Sequence, residues 1–318
     1  MKLQRGRPDL AEPLAREALE GFRRNGHPVA VSSGLVRLSQ VVRDLGRAEE
    51  ADAHLDEALS VARIWPALQA QAFADLESGR LDRIDALVPE LEAAADTKLQ
   101  RRALAFARSV AAREAALAGD MAAARESFTD SRRLFRSEGE LDLAARSDVA
   151  WAEAEAAAGD PAAAARILDE ALAGLDQAAA SLPGFSAELL RVRIDAESGR
   201  LSEARRRLAV FGDDTARSPS LSRRLAFLRA RARLAAAEGR PEAARADLEA
   251  AVADARRARR KLEELELRLD LAAVAEDAEA AARLASEVER EASRLGLAGL
   301  AAEARRSAHG TDASPNAG

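Results

Sequence analysis

The stretch AGDPAAAARIL (158–168) decides the fold. Gly159 permits the left-handed backbone that ends one helix. Asp160 suits the cap of the next helix, and Pro161 suits a first helical position, where no N–H is needed. Ala164 and Leu168 then set a small residue and a larger apolar one a helical turn apart. The stretch therefore reads as helix, tight turn, helix, with the second helix pressed onto the first.

The same phrase recurs as RGRPDLAEPLA (5–15), LGRAEEADAHL (45–55), SGRLDRIDALV (78–88), AGDMAAARESF (118–128), SGRLSEARRRL (198–208) and EGRPEAARADL (238–248). Its turn glycines are Gly6, Gly46, Gly79, Gly119, Gly159, Gly199 and Gly239, spaced 40, 33, 40, 40, 40 and 40 residues apart. A worn copy, AEDAEAAARLA (275–285), carries Glu276 where the glycine would stand. Asp120 repeats the cap of Asp160, and Pro8 and Pro241 repeat Pro161. Five residues after the glycines stand Ala11, Ala51, Ile84, Ala124, Ala164, Ala204 and Ala244; nine after stand Ala15, Leu55, Val88, Phe128, Leu168, Leu208 and Leu248. Seven before them stand the mostly small Ser39, Ala72, Ala112, Ala152, Val192 and Ala232, the matching contact on the preceding helix. Each unit is expected to be helix A, glycine turn, helix B, with helices of roughly 16–18 residues, about 25 Å long. Neither helix is apolar enough to stand alone, so stacking eight such units into a quasi-one-dimensional array is what buries their faces.

Composition agrees. Ala, Leu, Arg and Glu dominate and are strong helix formers, while Val, Ile and Thr are scarce. The net charge of −6 disfavours generic nucleic-acid binding. Only Lys2, Lys98 and Lys261 among the 48 basic residues are lysine. The absence of Cys excludes disulfides, thiolate chemistry and Cys-ligated metals, and it fits a reducing cytoplasm. No secretory core and no long uncharged apolar run occur, so no membrane partner is expected.

The phrases resemble tetratricopeptide repeats, with LGRAEEADAHLDEALSVAR (45–63) the closest copy through Gly46, Ala51, Leu55 and Ala58. The resemblance spans roughly residues 1–295. It departs in period, 40 here against about 34 in that family, and in the aromatic positions, mostly Ala or Arg here with Trp151 a partial exception. It implies an all-α, right-handed α-solenoid of antiparallel helix pairs. The longer period is similar to the repeats of sensor regions in large bacterial transcription activators. Residues 238–306 also resemble the ends of repeat regions in some bacterial Ser/Thr kinases and winged-helix regulators.

Because Gly6 reads as an A–B turn, the first unit lacks most of its helix A. The following helix, about 8–24, is expected to leave Leu10, Leu14, Leu19 and Phe22 uncovered on one side and to bend at Pro13. An open end of that kind would suit another chain, including a second copy in a homodimer, or a longer parent protein. At the other end LGLAGLAAEARR (295–306) reads as a closing helix. The repeat region is thus placed at residues 1–306, with 307–318 a polar, disordered tail.

No catalytic motif accompanies the repeats. His27, His54 and His309 lie apart, and no glycine-rich phosphate loop or nucleophile elbow is present. The basic stretches RRARRK (256–261) and SRRLAFLRARAR (222–233) read as solvated helix faces with neighbouring acids. The remaining candidate is a row. The tetratricopeptide resemblance puts the residue six before each glycine on a concave groove: Gln40, Phe73, Arg113, Glu153, Arg193 and Arg233. Stacked arginines there would receive an acidic peptide segment. The expectation is a non-catalytic, cofactor-free protein-interaction scaffold without a metal, the sensor or partner-binding part of a bacterial regulator. The alternative is the C-terminal part of a larger kinase or activator whose chemistry lies upstream.

Overall fold

The computed structural model describes residues 6–93, 100–175 and 182–309. These residues form helices and no strand. In chain order the helices are α1 Pro8–Asn25, α2 Pro28–Asp44, α3 Ala48–Val61, α4 Trp65–Glu77, α5 Leu81–Ala93, α6 Gln100–Leu117, α7 Met121–Ser137 and α8 Leu141–Ala157. There follow α9 Pro161–Ala173, α10 Leu182–Glu197, α11 Leu201–Leu208, α12 Leu221–Ala237, α13 Pro241–Arg257, α14 Lys261–Ala272, α15 Ala278–Arg294 and α16 Ala298–His309. Each helix packs on the next, giving neighbouring pairs compatible with a helical-repeat solenoid.

The turn glycines from Gly6 to Gly239 all have positive φ. Asp120 and Asp160 accept the N–H groups of Ala123 and Ala163 at 3.0 and 2.9 Å. The small residues on both sides of each turn meet as contact surfaces. Ser39, Ala72, Ala112, Ala152, Val192 and Ala232 are all at most 2% exposed, facing the equally buried Ala51, Ile84, Ala124, Ala164, Ala204 and Ala244. Cβ-sized contacts let the two helices of a pair approach closely, and Phe128, Phe135, Phe185 and Phe227 are the largest side chains buried with them. Two turns carry an extra tie. Asp75 and Asp195, fully buried, accept the Nε of Arg80 at 2.7 Å and of Arg200 at 2.9 Å, the arginine just beyond each turn glycine.

The helices are less uniform than the period suggests. α3, α5 and α9 run only 13 or 14 residues, and α11 only 8. α11 ends where Val210-Phe211-Gly212 leads into a 3-10 turn, Asp213–Arg217, and Pro219 keeps the chain out of a helix until Leu221. In α1 the expected uncovered face is smaller than expected. Leu10, Leu14 and Phe22 are exposed, but Leu19 is 3% exposed because it packs with Leu35 and the other apolar residues of α2. The helix continues through Pro13. At the C-terminus, 307–309 belong to α16 rather than to a tail, and Ala308 packs on the apolar core. Residues 310–318 lie outside the described residues.

The even-numbered helices from α2 to α12 touch one another in series and form an inner layer, with the odd-numbered helices outside. This inner layer curls until its ends meet. α14 touches α4, and α16 touches α6 and α8. The Ser222 N–H donates to Asp44 Oδ1 at 3.0 Å, Arg259 pairs with Glu49, and Arg306 Nη2 donates to the Ala157 carbonyl at 3.3 Å. Gly46 rests on Leu221 and Ala258, Gly79 on Leu295 and Leu297, and Gly119 on Gly299. The largest apolar cluster joins both sides of this seam, combining Leu76, Ile84 and Phe106 with Leu265, Leu297 and Leu300. The concave face is therefore not an open groove. It encloses a lumen.

Candidate functional site

The lumen is lined by the inner faces of the even-numbered helices. One cavity of about 670 Å³ is bounded by Arg113, Glu153, Arg193, Arg229, Arg233, Glu266, Asp270 and Glu303, among others. A second, of about 260 Å³, shares Arg113, Glu153, Arg193, Arg229 and Glu266 with the first and adds Arg146, Arg260 and Glu263. Volumes of this order suit a small molecule or a short segment of chain.

Four residues of the expected row, Arg113, Glu153, Arg193 and Arg233, come together on this lumen. Phe73 sits behind it. Its ring meets Phe106 edge-on at 5.0 Å, and the guanidinium groups of Arg113 and Arg146 lie 5.9 and 5.1 Å from its centroid. Gln40 is exposed and lines neither cavity.

Sequence reasoning missed Arg146, Arg229, Glu263, Glu266, Asp270 and Glu303. Most carry a periodic signal. Arg146 stands seven residues before Glu153, two helical turns along the same face. Asp270, Glu266 and Glu263 stand six, ten and thirteen before Glu276, the residue that replaces the turn glycine in the worn copy. Arg229 likewise stands ten before Gly239. Glu303, on the closing helix, has no repeat counterpart.

The lumen's charges divide into a paired and an unpaired set. Arg229 donates through Nη1 to Glu266 at 2.6 Å and through Nε to Asp270 at 2.5 Å, while Arg233 reaches Asp270 at 2.8 Å and Glu197 at 3.0 Å. Burial alone would raise the Asp270 carboxyl, but Arg229, Arg233 and Arg193 hold it down to about 2. Arg113, Arg146, Arg193, Glu153 and Glu303 have no ion pair or hydrogen bond among the described residues. Arg193 Nε is sealed from solvent with no partner. Arg146 and Glu153 expose much of their surface, and both line the smaller cavity. Burial, then the neighbouring Arg113, lowers the Arg146 guanidinium; burial, then Arg229, lowers that of Arg193. Burial and Glu266 raise the Glu153 carboxyl against Arg113, Arg193 and Arg229. Burial, with Glu266 and Asp270, pushes Glu303 up to about 7.

Outside Arg229, Arg233 and Arg260, which line the lumen, the other candidates gather no site. His27 is exposed ahead of α2, and His54 Nε2 lies 3.6 Å from Glu50. His309 ends α16. In the 256–261 stretch Arg256, Arg257, Arg259, Arg260 and Lys261 each pair with a carboxylate. On α12, Arg224 and Arg231 pair with Asp254 and Asp247. Among the described residues no three His, Asp or Glu are grouped to hold a metal ion, and no helix is long and apolar enough to cross a membrane. No family model matches this chain, and no curated protein matches it in sequence.

Proposed function

We propose that this chain is a non-catalytic binding module, a tetratricopeptide-like right-handed solenoid forming the sensor or partner-binding region of a bacterial regulatory protein. Its inner face takes an acidic segment of a partner. The observation that carries this reading is the convergence of Arg113, Arg193 and Arg233 on one lumen, two of them without a counter-ion. A buried guanidinium that lacks a carboxylate costs several kcal/mol of solvation, about the cost a ligand carboxylate would offset. The test is capture of partners from source-cell lysate by the chain and by the triple variant Arg113→Glu, Arg193→Glu, Arg233→Glu. Loss of specific partners by a folded variant is the expected result. Undiminished capture of every partner removes the inner face from the reading.

A further inference from the structure

The unpaired arginines are not scattered. Arg113 and Arg146 lie over the one ring of Phe73, and Arg113 and Arg193 border both cavities. α6, α8 and α10 thus bring three guanidinium groups to the smaller cavity. None has a carboxylate partner among the described residues, whereas Arg229, Arg233 and Arg260 nearby each have one. Three like charges converging on one cavity repel each other unless an anion offsets them. Glu77 acts on Arg146, Asp270 and Glu197 act on Arg193, and Glu153 faces Arg113 and Arg193, but none of these carboxylates forms an ion pair with the three, and Glu153 is biased toward its protonated form. The Phe73 ring holds two of the groups in place by cation–π contact, which orders the planar forks in advance of any ligand. The Ser186 hydroxyl lines the same cavity, and Val149, Leu189 and Leu190 give it an apolar wall.

We infer that Arg113, Arg146 and Arg193 form a binding site for a multivalent oxyanion, a phosphate or carboxylate group held by two or more guanidinium forks inside the lumen. The inference rests on the reading of the lumen as a ligand site. It does not require that the oxyanion arrive on a protein. Guanidinium forks match the paired oxygens of either group. A cavity of about 260 Å³ admits the head of such a ligand, and the adjoining 670 Å³ admits what the head is attached to.

The test is calorimetric titration of the full chain at low ionic strength with three probes: pyrophosphate, citrate and a Glu-rich hexapeptide. The variants are Arg146→Ala, Arg193→Ala and, as an exposed control outside the lumen, Arg166→Ala. Binding of at least one probe is expected, weakened at least tenfold by Arg146→Ala and by Arg193→Ala and unchanged by Arg166→Ala. Pyrophosphate or citrate binding without the peptide identifies a small-molecule ligand; peptide binding identifies an acidic segment. Thermal melting guards against misfolding: each lumen variant removes a guanidinium with no ion pair and should melt close to the parent temperature without ligand. Millimolar probes that leave the parent chain unbound, or that bind the lumen variants as well as the parent, overturn the site. If the oxyanion probes all fail while the triple charge-reversal variant still loses its protein partner, the broader reading stands and this one falls.

Discussion

The side chain of Asp44, at the end of α2, caps α12 by accepting the Ser222 N–H at 3.0 Å, 178 residues away along the chain. Ser220 caps the same helix from its own strand of chain, accepting the Arg223 N–H at 3.3 Å. Two early N–H groups of α12 are thus satisfied from opposite ends of the molecule, and the Asp44 charge also complements the helix N-terminus.

Asp44→Ala should therefore weaken the seam rather than one helix pair. The expected loss is about 1–2 kcal/mol in urea denaturation. Amide hydrogen exchange should quicken at the start of α12. Asp160→Ala, which removes an ordinary local cap, should cost a similar amount and leave exchange in α12 unchanged. Identical exchange patterns in the two variants would mean that Asp44 does not hold the seam.

Gly299 allows α16 to close on α6. A Cβ there would stand 2.7 Å from the Ala116 carbonyl oxygen, a backbone atom that cannot swing aside. Gly299→Ala should destabilise the chain by about 1–3 kcal/mol, despite alanine's better helix propensity. Limited proteolysis should release α16 first. A variant as stable and as protease-resistant as the parent would contradict this contact.

Arg259 has φ of 54°, in the left-handed region where glycines stand in other turns. That conformation costs a non-glycine residue roughly 1–2 kcal/mol. Its ion pair with Glu49 joins side chains 64% and 75% exposed, so the pair contributes no more than about 1 kcal/mol. Strain outweighs the pair, and Arg259→Gly should be neutral or up to about 1 kcal/mol stabilising. A clear loss of stability, measured at low and high salt, would show that the Glu49 pair is the stronger effect.

Glu303 makes stability depend on pH in a defined direction. Its carboxyl is raised from 4.5 to about 7 by burial and by Glu266 and Asp270. Below its ordinary value both folded and unfolded chains keep the proton, and the group has no effect. Between the two values the unfolded chain ionises while the folded one does not, so stability falls as pH rises; above about 7 the penalty is complete. Glu303→Gln should match the parent near pH 4 and exceed it by on the order of 2 kcal/mol near pH 8. An equal gain at both pH values would place the effect in packing and not in charge.

Much of this architecture was legible because its determinants are local. Gly119, Asp120 and Ala124 specify turn, cap and contact within six consecutive residues. The inner position of Arg113, Glu153, Arg193 and Arg233 was implied by the tetratricopeptide resemblance, which assigns that face to the residue six before each turn glycine. Phe73 shares that offset but fills space behind the lumen, because large aromatic residues are rare here and its ring is drawn to Phe106. Closure was not legible. Gly299 meets Gly119, and Asp44 meets Ser222, through the summed curvature of all the intervening helix pairs, which no short window carries. Arg146 and Asp270 escaped for a simpler reason: one position per unit was followed, and the copy containing Asp270 has lost its glycine.

The contact between Gly119 and Gly299 has a consequence for how such a chain can change. An open array tolerates the gain or loss of a helix pair, because each pair answers only to its neighbours. Here the circumference is fixed. Inserting or deleting one pair between α6 and α16 would carry Gly299 past its mark, split the apolar cluster shared by Ile84 and Leu297, and open the lumen to bulk water. The number of helix pairs is thus held by geometry, as the number of staves is held by a barrel.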